Sequence, residues 1–451
     1  MNLKSVCVEY KTGLFNGNRN NNMVVINRIK TKVRKMVPES VIGWYHLGMA
    51  LLGALRYGFP AKKIKVIGVT GTNGKSTTVI MIAKILEEGG FRVAVSSSVE
   101  FRIGDKIWKN KSRMTMPGRF ALQKLLSDAV TAKCQYAVIE VSSEGIKQHR
   151  HRFIDFEAAV VTNVTAEHIE AHGSFGNYLT AKGRLFAACR NIHVVNLDDP
   201  NYEYFAKFGA KEKYAYTLGA AEADSQKEAK TVCADNFKVS GTGSSFEVEK
   251  TEFNLKLLGK FNIYNALAAI SVGLSQGVDL DACKAALAKI EVIPGRMDQA
   301  VSHPFKVFID YAVTPDSLEK AYQAIRGDLR GGRLICVLGS CGGGRDKWKR
   351  PVMGNLAKKY CDQVVVTNED PYDEDPMKII NEIASGGGKV KKIIDRRAAI
   401  REALACAKPG DSVLVTGKGC EDSMCLSGGK KIPWSDKSVI KEEFSILENK
   451  R

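Results

Sequence analysis

No cysteine pair spaced C-x-x-C occurs in this chain of 451 residues, although cysteine appears 11 times. An odd, scattered set argues against a disulfide framework and against a structural zinc site. It argues for a reducing compartment, the cytoplasm. A signal-peptide pattern is also missing: the start is polar and asparagine-rich (NGNRNNN), and Met23 offers a second start. The apolar stretch over 41–55 is too short to cross a bilayer, which needs about 20 residues. Behind the basic run RIKTKVRK it could lie on an anionic membrane or simply pack as a helix. Acidic residues are outnumbered, leaving a net charge of +18 that suits anionic partners or a lysine-rich solvated exterior. No nucleic-acid recognition motif accompanies that charge, which points away from DNA and RNA and toward small anions. No internal repeat is present.

What is present is an alternation of strands and helices. KIKVIGV, FRVAVSS, QYAVIEVSS, EAAVVTNV and NIHVVNLDD read as buried strands. Residues Lys75 to Glu88 read as an apolar helix stopped by Gly89 and Gly90, with further helices over 119–132 and 178–190. This is the pattern of an α/β fold with an open, mostly parallel sheet. Residues 228–258 are more polar with short alternating runs and suggest a β insertion. A second α/β series starts near Arg296, with strands KVFIDYA, RLICVLGS, QVVVTNED, VKKIID and DSVLVTG and helices over 317–325 and 376–384. The chain is too long for one simple core. The expected organisation is a short helical N-terminal segment (1–62), a central P-loop ATPase-like domain (63–295) and a C-terminal Rossmann-like domain (296–451), hinged at IPGR.

The stretch GVTGTNGKST, residues 68–77, carries the chemistry. A strand ends, Gly71 and Gly74 let backbone N–H groups converge, and a helix begins at once. Helix N-termini and such amide nests attract phosphate. Gly71, Thr72, Asn73, Gly74 and Thr77 would form the cradle, Lys75 would reach the outer phosphates, and the Ser76 hydroxyl could ligate Mg²⁺. Magnesium needs further oxygens, and Glu140 stands near the carboxyl end of an apolar strand, where ligands of parallel sheets bind. A strand-end glutamate in a salt bridge is the plainer alternative. Lys182 shares a helix face with Tyr178, Leu179, Leu185 and Phe186. Burial there would lower its pKa, while spacing alone leaves a snorkelling surface lysine equally open.

Five residues separate Gly68 from the Gly-Lys pair, where a common P-loop has four. With that spacing, and with EVSSEGIKQHR, TNVTAEHIEAHGSFGNYLTAKGRLF, LLGKFNIYNALAA, IPGRMD, FIDYAVTPDSLE, GSCGGGRDKWKRPVMG and VTGKGCED following in order, the chain resembles the Mur ligases and the related folylpolyglutamate synthetases. Within the Mur ligases it is most similar to the group that makes the UDP-N-acetylmuramoyl tripeptide. The resemblance implies an ATP-dependent amide ligase. ATP phosphorylates a substrate carboxylate, an amine attacks the acyl phosphate, and phosphate leaves. It further implies two Mg²⁺ ions held by Ser76, Glu140, His168 and a CO₂-derived carbamate on Lys182. Asn262 and Asn265, one helical step apart, would meet the adenine. Arg296 would reach the ATP phosphates, Asp310 the ribose, and Lys349 and Arg350 would add positive charge, although a solvated basic face would explain the last two as well. Thr115, Ser142, Gln148 and Arg150 would hold the nucleotide-sugar peptide. Asp370, Tyr372, Gly417 and Glu421 would hold the incoming amino acid.

The match departs from the family pattern in five places. Only 67 residues precede Gly68, where the family has a full domain that grips uridine diphosphate. Met116 replaces a second threonine, Glu144 a histidine and Val313 another histidine. The DNPR motif that reads diaminopimelate becomes EDPY, with Asp370 and Tyr372 in place of asparagine and arginine. A tyrosine offers no two-pronged cationic grip, so diaminopimelate is disfavoured. The acids Glu369, Asp370, Asp373, Glu374 and Asp375 could welcome a lysine instead, or form a solvated negative loop. The expected activity is addition of the third amino acid to UDP-N-acetylmuramoyl-L-Ala-D-Glu in peptidoglycan precursor synthesis, by a cytoplasmic monomer. The alternatives are another ligase of the superfamily or a nucleotide-binding regulator without catalysis.

Overall fold

The structure, a computed structural model, describes residues 38–112, 114–219 and 228–449. The asparagine-rich start, Met23 and the RIKTKVRK run lie outside the described residues. Contacts group residues 45–451 into one compact unit and residues 1–44 into another, of which only 38–44 are described. The apolar run over 41–55 forms most of the helix Glu39–Arg56, which leaves Tyr45, Leu52 and Leu55 exposed. Among the described residues no helix is long and apolar enough to cross a membrane.

The first sheet has nine strands: β1 (Lys65–Thr70), β2 (Val93–Ser96), β3 (Glu100–Ile103), β4 (Lys106–Lys109), β5 (Tyr136–Glu140), β6 (Phe156–Val161), β7 (Ile192–Asn196), β8 (Glu212–Thr217) and β9 (Lys230–Cys233). Their order is β4-β3-β2-β5-β1-β6-β7-β8-β9, parallel except for the β3–β4 hairpin at one edge. Central strands are buried on both faces, which is why they read as continuous apolar runs. In β1, Ile67 and Val69 face a core shared with the helices Lys75–Glu88 and Lys260–Ser275. Val66 faces the opposite core, with Leu122, Leu126, Leu185 and Phe186. The polar stretch after β9 folds as expected into a β insertion, the antiparallel sheet β10 (Asp235–Ser240), β11 (Gly243–Val248) and β12 (Thr251–Leu255).

The second sheet has six strands: β13 (Asp298–Val301), β14 (Lys306–Asp310), β15 (Leu334–Leu338), β16 (Gln363–Thr367), β17 (Lys391–Ile393) and β18 (Ser412–Thr416). Their order is β13-β14-β18-β15-β16-β17, and only β13 runs antiparallel. Helices pack on both faces, giving two further cores. The cysteine expectation needs a correction here. Asp362 N donates to Leu334 O at 2.8 Å, which draws the end of helix Lys349–Tyr360 against β15, and there Cys336 and Cys361 are joined by a disulfide.

Candidate active site

The carboxyl ends of β1, β5 and β6 meet at the 71–77 loop. Thr165 N donates to Thr72 Oγ1 at 3.0 Å and Asn73 N to Asn163 Oδ1 at 3.1 Å, so the loop is pinned to the segment that follows β6. Thr162 Oγ1 donates to Asn73 O at 2.6 Å. Gly71 and Gly74 have φ of +146° and +84°, and a Cβ there would overlap Thr162 Oγ1 and Asn265 Oδ1 respectively. Both positions therefore require glycine. The helix Lys75–Glu88 starts immediately, and its first backbone N–H groups have no partner within the helix.

Two lysines converge beneath this loop. Lys75 Nζ donates to Gly71 O at 3.0 Å and to Thr72 O at 2.8 Å, and Lys182 Nζ donates to the same Gly71 O at 2.6 Å. Lys182 is 1% exposed and stands 4.4 Å from the Tyr178 ring centroid, so it is not a snorkelling surface lysine. Burial, and after it the charge of Lys75, holds the Lys182 amine well below the usual lysine range. Burial also lowers Lys75, against the pull of Glu140. Two ammonium groups on one carbonyl in a dry place are costly, which favours loss of a proton or arrival of an anion.

Opposite them stand carboxylates with unused oxygens. Glu140 is fully buried at the end of β5; Oε2 accepts from Ser98 Oγ at 2.7 Å and Oε1 has no partner. Glu167 Oε1 accepts from Lys349 Nζ at 2.7 Å, and Oε2 has none. His168 sits at φ +57°, and burial followed by the charges of Arg345 and Lys182 pushes its imidazole down to about 3. It is therefore neutral at physiological pH and able to act as a ligand. Arg296 Nη2 donates to Ser76 Oγ at 3.4 Å, and its guanidinium lies 4.7 Å from the Tyr311 ring centroid. Orphaned carboxylate oxygens, a neutral histidine and a serine hydroxyl fit a hard divalent cation. Among the described residues, no three of His, Cys, Asp and Glu converge into a ready cage, so substrate oxygens would have to complete the shell.

These groups border a cavity of about 860 Å³, ample for a nucleotide and a second substrate. Of the expected nucleotide residues, Thr72, Asn73, Gly74, Lys75, Ser76, Thr77, Asn265, Arg296, Asp310 and Lys349 line it. Glu140 and His168 line it too, while Lys182 and Gly71 do not. Asn265 Nδ2 donates to Asn262 Oδ1 at 3.0 Å, so the two asparagines do share a helix face, with Asn262 buried behind Asn265. Asp310 accepts from Met297 N at 2.7 Å, and burial pushes its carboxyl up to about 6 against Arg296.

Several residues stand elsewhere than expected. Arg350 does not reach the cavity or a solvated face: it is fully buried and donates to Glu382 at 2.5 Å and to Glu374 at 3.0 Å, so its charge is spent inside the second sheet's helices. Lys349 faces the cavity but is paired with Glu167. Of the acceptor set only Thr115 lines the cavity. Ser142 caps the short helix Ser143–Lys147 by accepting from Gly145 N at 3.1 Å. Gln148 and Arg150 stand just outside, with Arg150 Nη1 on Met116 O. At the amino-acid end Asp370, Tyr372 and Glu421 line the wall and Gly417 does not.

The acidic loop is not an open lure for a cation. Asp370 accepts from Lys418 Nζ at 3.0 Å, Asp373 from Ser427 Oγ at 3.0 Å, Glu374 from Arg350, and Asp375 caps the helix Pro376–Ala384. Glu369 alone keeps an unpartnered buried oxygen, and burial pushes its carboxyl up to about 7 against Lys418. Sequence reasoning missed Ser98, Thr162, Asn163 and Glu167. Glu167 directly precedes the expected ligand His168 in TAEH, and that adjacency was the available signal.

Comparison with known proteins accords with this geometry. The profile of the Mur ligase middle domain matches residues 69–273, and that of the Mur ligase glutamate ligase domain matches 295–419. A UDP-N-acetylmuramyl-tripeptide synthetase of Roseiflexus sp. strain RS-1 is 39% identical over 443 residues, covering 92% of this chain and 85% of that protein. A UDP-N-acetylmuramoyl-L-alanyl-D-glutamate–2,6-diaminopimelate ligase of Syntrophomonas wolfei is 39% identical over 408 residues, covering 87% of this chain and 81% of its own length. Among solved structures, a UDP-N-acetylmuramoyl-L-alanyl-D-glutamate–2,6-diaminopimelate ligase superposes with a TM-score of 0.57 at 29% identity, covering 85% of this chain and 79% of that one.

Proposed function

This chain belongs to the Mur ligase family of ATP-dependent amide ligases of peptidoglycan synthesis, and from that premise we propose that it adds the third amino acid to UDP-N-acetylmuramoyl-L-Ala-D-Glu. The observation that carries the reading is the pair Lys75 and Lys182 sharing Gly71 O, set against the unpartnered oxygens of Glu140 and Glu167. That arrangement suits a triphosphate's terminal group placed beside an acid. The amide nest and Lys75 bind and orient the outer phosphates, while Arg296 reaches them from the segment before β13. Asn265 and Asp310 hold the nucleoside. Thr115 and Arg150 orient the acceptor so that its carboxylate meets the terminal phosphoryl group, forming an acyl phosphate. The amine of the incoming amino acid then displaces phosphate and loses a proton, leaving an amide. Holding three substrates in register is itself a large part of such a rate enhancement.

Magnesium fits the residues present: Ser76, Glu140 and His168 would hold it, with a carbamate on Lys182 as a further oxygen donor. When bound, it neutralises charge on the phosphates. The neutral Lys182 amine would bond to the carbon of CO₂ and release a proton to water. For the amino acid, Tyr372 provides no guanidinium and Glu369 provides a carboxyl on the cavity wall. We assign lysine ahead of diaminopimelate. Purified protein with ATP, Mg²⁺, the UDP-muramoyl dipeptide and a panel of amino acids, read by mass, tests both steps. A tripeptide product that forms with lysine and exceeds that with diaminopimelate is expected; preference for diaminopimelate rejects the side-chain assignment, and no product with any amino acid rejects the ligase step.

A further inference from the structure

The helix Glu39–Arg56 is apolar on two faces, and one of them is open. Ala50 and Ala54 are fully buried, and a Cβ at Gly53 would stand 3.5 Å from Arg119 O, so this side rests against the start of the helix Arg119–Thr131. On the other side Tyr45, Leu52 and Leu55 are 61%, 54% and 55% exposed, Leu51 is exposed beside them, and a Cβ at Gly48 would meet nothing within 4 Å. Positions 45, 48, 52 and 55 fall three or four apart, which lines them along one stripe. In the sequence Val41 and Trp44 continue that spacing. A helix that is apolar all round is ordinarily buried all round, so an open stripe of this kind marks a docking surface. No step of the ligation uses it.

Charge identifies what covers it. In the sequence the run RIKTKVRK, residues 28–35, sets five cations in eight residues just ahead of the helix, and Arg56, Lys62 and Lys63 follow it. Those last three are exposed, and among the described residues none of them has a carboxylate partner. From Tyr10 to Ile64 the sequence holds ten lysines and arginines against one acid, Glu39. A second copy of this chain laid on the stripe would bring like charges together, which is costly. An anionic lipid surface suits both features at once. Its headgroups attract the cations, its acyl boundary takes the leucines, and tyrosine settles at headgroup depth. The helix is not long and apolar enough to cross a membrane, so it would lie on one. We propose that the stripe of Tyr45, Leu52 and Leu55 docks this enzyme on an anionic membrane surface, in the plane of the headgroups. The inference goes beyond the ligase reading and holds whichever amino acid is added.

The test floats the full chain with two kinds of vesicle: phosphatidylcholine alone, and equal parts of phosphatidylcholine and phosphatidylglycerol. The wild type should float with the anionic vesicles and not with the neutral ones, and added salt should weaken the binding. Leu52→Glu with Leu55→Glu should lower the partition onto anionic vesicles by about tenfold or more. Glutamine in place of Arg28, Lys30, Lys32, Arg34 and Lys35 should do the same through charge. Both variants should keep the wild-type thermal shift with ADP, which shows that they fold. They should also release phosphate with a water-soluble acceptor at the wild-type rate. A wild type that stays below the anionic vesicles overturns the proposal. So does binding that is equal on both vesicles, or that survives Leu52→Glu with Leu55→Glu. A wild type that sediments as a dimer, split by the same two substitutions and indifferent to vesicles, gives the stripe to a second copy and overturns it as well. Flotation reads none of the chemistry, so it decides the docking surface even where no amide forms.

Discussion

Lys182 is no longer an ambiguous spacing, because the fold buries it and places a second lysine on the same acceptor, Gly71 O. Replacing it with alanine should lower ligation about 10–100-fold, the usual effect of losing support for a metal site, as measured by coupled phosphate release. Wild-type protein in ¹³C-bicarbonate should show a carbamate resonance that this variant lacks. Glu369 makes a pH prediction. Its folded value of about 7 lies above the ordinary 4.5, so the folded protein keeps a proton that the unfolded chain gives up. The resulting stability is whole below about pH 4.5 and is lost as pH rises through 7. Asp310 adds the same sign between 3.8 and about 6. Glu369→Gln should therefore gain about 1–3 kcal/mol over wild type at pH 8 and little at pH 5, measured by urea unfolding at each pH. Gly74 shows how far one residue was legible. The sequence announced a phosphate loop there, but not that the missing Cβ also makes room for Asn265, which approaches from nearly two hundred positions away.

At the scale of elements, long or strongly patterned segments were readable. The helices Lys75–Glu88 and Pro376–Ala384 run between the residues expected, because glycine or a capping acid marks their ends. Runs buried on both faces identified the parallel strands. The β3–β4 hairpin and β13 escaped because they are four-residue strands at or next to a sheet edge with at most one buried position each, defined by a neighbour's backbone rather than by their own side chains. The acidic loop after β16 was misread for a related reason. Local charge spacing is visible in sequence, whereas Arg350, Lys418 and Ser427, which take up those acids, arrive from elsewhere in the second half. The loop before helix Lys75–Glu88 gives the prediction that belongs here. Gly74→Ala places a side chain at φ +84° and against Asn265; it should cost about 1–3 kcal/mol of stability and weaken ADP binding, read by thermal unfolding with and without ADP.

Across the whole molecule, polar links tie the first sheet's loops to the second sheet's helices. Asn73 Nδ2 donates to Asp316 Oδ2 at 2.9 Å, and Lys347 N to Glu170 Oε1 at 2.8 Å. Lys349 with Glu167 is a link in which both partners are buried. Breaking one partner of such a pair strands the other. Lys349→Met should destabilise by about 3–5 kcal/mol, and Lys349→Met with Glu167→Leu by clearly less, in guanidinium unfolding of both variants. Ser98 and Thr162 were illegible for the same reason that makes these links effective: each becomes functional only when distant strands bring their ends together.

The turn Ile169–His172 has no side-chain cap of its own at His168; instead Asp346 accepts the backbone N–H groups of Ile169 and Glu170 at 3.2 and 3.0 Å. A fragment that stops before Asp298 would keep every residue of the phosphate loop, yet leave that turn frayed and its imidazole wandering. Nucleotide capture and catalytic competence are thus separable by scissors: a severed first half should still grip ADP but turn nothing over until the remaining half is supplied in trans.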